Sequence, residues 1–132
     1  MKEQFNFVIA GLSTIVTWIF GGWDMAIYIL LLFVIVDYIT GVIKGFIIKK
    51  LSSNTGWKGL LKKSTIFLVL IVAVGLDRVL ENDNWLFRTA TCYFFVANEG
   101  ISIIENVAEI GIPVPKKLLN ALQQLKGETE NE

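Results

Sequence analysis

MAIYILLLFVIVDYITGVIKGFII, Met25 to Ile48, contains two charges, Asp37 and Lys44, in 24 residues. A helix rises ~1.5 Å per residue, so about 20 residues cross the ~30 Å hydrocarbon core of a bilayer, and this stretch is long enough to span it. Backbone groups in lipid must satisfy their own hydrogen bonds, which makes helix the form such a segment takes. A carboxylate past the middle of that helix costs roughly 2.5–3.5 kcal/mol on insertion scales. Asp37 therefore needs a partner, a proton or water, and it is the first residue that asks for a functional explanation.

Upstream lies FNFVIAGLSTIVTWIFGGW, residues 5–23, which carries no charge and closes on Gly21 and Gly22. Its length suits a first span, while Asn6, Ser13, Thr14 and Thr17 also suit a helix lying in the interface. A second apolar segment follows at once, which argues against a cleaved signal peptide. Downstream, KKLSSNTGWKGLLKKS carries Lys49, Lys50, Lys58, Lys62 and Lys63, with no acid between Asp37 and Asp77. Read as a loop, it sets topology, because short lysine-rich loops stay on the cytoplasmic side and are drawn to anionic headgroups.

Residues 64–80 form the next candidate span, with Asp77 and Arg78 near its outer end, followed by the acidic turn Glu81 to Asn84. The least apolar candidate is residues 85–104, where Arg88, Thr91, Asn98 and Ser102, continued by Glu105 and Glu109 beyond it, recur close to helical spacing and Glu99 lies beside them. This stripe suits either a solvated face or contact with other helices around a wet interior. Past Pro113 and Pro115, Leu118, Leu119, Leu122 and Leu125 fall on one side of a short helix beside Lys116, Lys117 and Lys126. That helix is expected to be cytoplasmic, lying on the membrane or on another subunit, with GETENE as a disordered acidic tail within residues 111–132.

The composition agrees: 54% of the 132 residues are hydrophobic, more apolar surface than a soluble chain this small can hide. Net charge is zero, yet nine of the twelve basic residues lie in Lys44–Lys63 and Lys116–Lys126, so the distribution matters more than the sum. One cysteine and no histidine rule out an internal disulfide and leave a Cys/His metal site unsupported. No phosphate-cradling loop or activated nucleophile appears, so neither an enzyme, nor a cofactor, nor nucleic-acid binding is expected. The expected fold is all-α: an integral membrane protein with three or four transmembrane helices in residues 1–110, then the amphipathic helix.

Two inferences concern assembly. Gly41 and Gly45 form a G-x-x-x-G on the central helix, suited to close helix packing and oligomerisation. Asp37 follows Trp23 by fourteen residues and Glu99 follows Trp85 by fourteen, so the two carboxyls share a depth if both tryptophans mark the outer interface. Lys44 is the expected cation for them, and a patch satisfied poorly within one chain would favour a homo-oligomer.

VDYITGVIKGFIIKKLSSNTGWKGLLKK, followed by NEGISIIENVAEIGIPVPKKLLNALQQL, resembles the holins of Gram-positive phages and clostridia, including the toxin-secretion holins. The resemblance covers about Tyr28 to Lys126 and rests on Asp37, Tyr38, Gly41, Lys44, Gly45, Gly59, Lys63, Asn98, Glu99, Gly100, Glu105, Pro113, Pro115 and Lys116. It implies a protein of the bacterial cytoplasmic membrane that accumulates and then assembles into lesions releasing an endolysin or a large toxin. A membrane scaffold subunit and a small ion channel remain open as alternatives.

The charge distribution generates a topology test. With Cys92 replaced, Ser53→Cys should resist a membrane-impermeant thiol reagent in intact spheroplasts and react after permeabilisation. Rapid labelling of intact cells would reverse the orientation.

Overall fold

In the computed structural model, which describes residues 1–130, five helices follow one another: α1 (Lys2–Phe20), α2 (Met25–Ile47), α3 (Ser53–Val79), α4 (Leu86–Glu109) and α5 (Lys116–Glu130). There is no strand among the described residues. Helices α1, α2 and α3 are each long and apolar enough to cross a membrane. At 24 residues α4 is long enough too, but its charges set it apart.

Local chemistry explains the boundaries. Gly21 ends α1 in the left-handed region at φ 77°, and a Cβ there would come within 3.1 Å of Arg88 and Trp85 side-chain atoms. Asp24 caps α2 by accepting from the Ile27 amide at 3.2 Å, and Ser52 caps α3 by accepting from Thr55 at 3.1 Å. Helix α4 has no cap from its own flank. Asp77, near the end of α3, serves instead, accepting from the Phe87 and Arg88 amides at 3.0 and 2.8 Å and from Asn82 Nδ2 at 3.1 Å.

The Ser52 cap corrects the reading of Lys49–Lys63 as a loop. Helix α3 begins at Ser53, eleven residues before the expected span, because a capped start and good helix formers outweigh Gly56 and Gly59. Only Lys49 and Lys50 remain in the turn. The expected disordered tail is likewise corrected, since α5 continues through Gly127 to Glu130; residues 131 and 132 lie outside the described residues.

Helix α4 is the hub, with α2, α3 and α5 all packed on it. Three buried faces meet there, each recurring at helical spacing: Ile27, Leu30, Val34 and Asp37 on α2, Ile66, Leu70, Val74 and Asp77 on α3, and Arg88, Cys92, Glu99 and Asn106 on α4. Helix α1 buries no residue and touches α3.

Helix α5 folds back along α4. Gly100 permits the approach, for a Cβ there would lie 2.9 Å from Leu122 and 3.2 Å from Phe33. Lys126 then donates to Asn98 Oδ1 at 3.3 Å and sits over the Phe94 ring. Leu122 of the leucine stripe thus packs within the chain, while Leu118 stays exposed.

Asp77→Ala should cost about 2–3 kcal/mol in detergent unfolding, since two α4 amides lose their acceptor. Asp77→Asn, which keeps an acceptor oxygen, should cost less.

Candidate functional site

One lysine joins two carboxylates at the centre of the helix junction. Lys63 Nζ donates to Asp37 Oδ2 and, at 2.7 Å, to Glu99 Oε2. Asp37 and Glu99 are 5% and 4% exposed, and the Lys63 that joins them is largely buried. Asn106 completes the cluster, donating through Nδ2 to Asp37 Oδ1 at 2.9 Å and to Thr40 Oγ1 at 3.0 Å. The four partners come from three helices: Asp37 from α2, Lys63 from α3, and Glu99 and Asn106 from α4.

The common depth expected for Asp37 and Glu99 agrees with their meeting on one ammonium group. The cation is not the expected one. Lys44 instead pairs with Glu109 at 3.1 Å, a partly exposed bridge at the end of α2. Reading Lys63 as a loop residue hid its place on the buried face of α3, although it lies one turn before Ile66 and fourteen residues before Asp77. Asn106 was missed too; it extends the Arg88, Cys92, Glu99 spacing by seven residues.

A second ionic layer closes the opposite end. Arg88, 4% exposed, donates to Asp24 Oδ2 at 2.7 Å and Oδ1 at 3.2 Å, to the Phe20 carbonyl at 2.7 Å and to the Gly22 carbonyl at 3.0 Å. This fork ties the α1–α2 turn to α4. Hydrogen bonding from Arg88 holds the Asp24 carboxyl below the usual carboxylate range, so the clamp holds at neutral pH and weakens as pH falls through that lowered value. Arg78 lies alongside, donating to the Trp18 carbonyl at 2.6 Å and stacking over the Trp18 and Trp85 rings.

The expected α4 stripe is therefore divided. Arg88 and Glu99 face the chain's own interior, Thr91, Asn98 and Ser102 are half-buried, and Glu105 is exposed. Ala97 and Ile104 are buried as well, because α4 is enclosed by several neighbours. A Cβ at Gly41 would meet Asn106 at 3.8 Å, and one at Gly45 would meet Leu51 at 3.1 Å, so within the chain both glycines face its own residues. Lys49, Lys50, Lys58 and Lys62 are exposed. Among the described residues no His, Cys, Asp or Glu group could hold a metal ion.

Apolar spans joined through buried ion pairs define a small all-helical membrane protein. The chain belongs to the bacteriophage holin family, which it matches over residues 14–127. An uncharacterised 14.9 kDa protein of Clostridium perfringens is 52% identical over 128 residues, 95% of this chain and 97% of its own. The uncharacterised YqxH protein of Bacillus subtilis is 41% identical over 102 residues, covering 77% and 72%. A protein of Bacillus phage phi105 named a probable holin is 40% identical over 96 residues, covering 73% and 70%. No solved structure matches.

Lys63→Met leaves two buried carboxylates without a cation and should destabilise the chain by roughly 3–5 kcal/mol in detergent unfolding. Adding Asp37→Asn and Glu99→Gln should recover most of that loss. Equal stability of Lys63→Met and the unaltered chain would show that the cluster does not hold the helices together.

Proposed function

We propose that this protein is a holin: copies accumulate in the bacterial cytoplasmic membrane and assemble into lesions that release an endolysin or a large toxin. Membership of the bacteriophage holin family across residues 14–127 carries the reading. The name of the phi105 relative, a probable holin, points the same way. In this proposal the lysine-rich end of α3 and the C-terminus face the cytoplasm, as the clustering of lysines favours.

The geometry suggests how one chain serves as both a harmless monomer and a lesion subunit. Asp37, Lys63, Glu99 and Arg88 are matched inside the chain, so a single copy presents few unpaired charges to lipid. Lining water with the same groups requires these pairs to open or to exchange between copies. Thr91, Asn98, Ser102 and Glu105 would border such a path, with Asp37, Lys44, Arg88 and Glu99 joining once the pairs separate. Gly41 and Gly45 would then offer close-approach positions to a second copy.

Inducible expression in a bacterium, together with a cytoplasmic endolysin, tests the proposal. The expected outcome is a delay, then an abrupt loss of membrane potential with lysis. Glu99→Gln, which keeps a polar contact but cannot ionise, should change the onset at matched protein level. Intact potential throughout would favour a scaffold subunit, and loss of potential without enzyme release would favour a small channel.

A further inference from the structure

A cavity of about 360 Å³ lies between the ends of α2 and α3 that the turn over 48–52 joins, and α4. Its apolar wall includes Val42, Ile48 and Leu51, and Lys44, Lys50, Thr55 and Ser102 supply polar groups. A second hollow of about 440 Å³, bordered by Trp57, adjoins it and shares Tyr38, Val42, Leu51 and Gly56. Gly59 lines the first cavity, and a Cβ built on it meets nothing within 4 Å. The room is therefore real space between two apolar helices.

Most charges around the cavity are committed. Asp37 and Lys63 are paired in the buried cluster, while Lys44 holds Glu109, whose side chain is 57% exposed. That surface pair is weak and exchangeable. Lys50 is exposed and has no ion-pair partner among the described residues. Positive charge at the mouth thus exceeds what the neighbouring acids neutralise, above an apolar wall at the end of two candidate spans.

We infer that this cavity binds one anionic phospholipid, its phosphate between Lys44 and Lys50 and an acyl chain along Tyr38, Val42 and Leu51. A free phosphate would use the lysines but not the apolar wall; a neutral lipid would use the wall but not the lysines. Basic pockets between membrane helices near the cytoplasmic surface suit such headgroups. The site does not depend on lesion formation.

The test is native mass spectrometry of the full chain, purified in mild detergent with equimolar phosphatidylglycerol and phosphatidylcholine. One phosphatidylglycerol per chain should be retained in preference to phosphatidylcholine. Lys50→Gln should reduce retention about tenfold, the effect of losing one charge-assisted contact. Gly59→Leu, which fills the open space, should reduce it at least as much with unfolding behaviour unchanged. Lys58→Gln and Lys62→Gln, exposed lysines outside the cavity, should leave it unaltered. Equal losses from Lys58→Gln and Lys50→Gln would overturn the site in favour of diffuse surface attraction. Unchanged retention in Gly59→Leu would remove the lipid from the cavity, and competition by soluble glycerol phosphate at lipid-like concentrations would make this a phosphate site.

Discussion

A carboxylate enclosed by apolar helices must be matched by a cation from a neighbour, and Lys63 does this for Asp37 and Glu99 together. Because the three residues stand on α3, α2 and α4, their pairing sets the relative heights of those helices. A slip of one helical turn, about 5.4 Å, would separate the ammonium from both carboxylates and leave them buried and unpaired. Apolar side chains such as Leu30, Leu70 and Cys92 fill the core, but in lipid apolar contact alone specifies register weakly, since acyl chains are equally acceptable neighbours.

The ionic layer at the other end obeys the same constraint with different parts. Asp77 satisfies the start of α4, while Arg88 joins α4 to the turn after α1. Eleven residues, about 16 Å of rise, separate Arg88 from Glu99 along α4. The apolar layer between the two ionic layers is thus thinner than a ~30 Å hydrocarbon core, and both layers depend on protein rather than water for their partners. Helix α4, which contributes to both ionic layers, accordingly occupies the centre, with α2, α3 and α5 around it.

Under the proposed function, this arrangement favours exchange of partners over permanent exposure of the charges. A polar stripe that permanently faced water would make each copy disruptive as it inserted. In the proposed lesion, charges paired within each copy would become available to other copies only once the helices separate, which would link assembly to loss of internal pairing. Helix α5, seated on α4 through Leu122 and Lys126, covers part of the same helix and is one of the elements such a rearrangement must move.

Long uncharged runs were sufficient to identify the apolar helices, because spanning length and backbone hydrogen bonding leave lipid-exposed segments little alternative. The glycine pair after α1, the common depth of Asp37 and Glu99, and the family resemblance were equally legible in the residues. Lys63 was legible only as a positive charge: near a run of other lysines it read as part of a loop, and the Ser52 cap that brings it into α3 is a single local hydrogen bond. Pairing was beyond reach, since Lys44 and Lys63 are both plausible cations along the chain and only the crossing of α3 over α2 and α4 selects between them. The amphipathic stripe of α5 announced a partner, but membrane, second copy and α4 all satisfy the same pattern. Local periodicity thus determined what each helix is; the tertiary structure decided which charges meet, because that depends on heights and rotations that no single helix encodes.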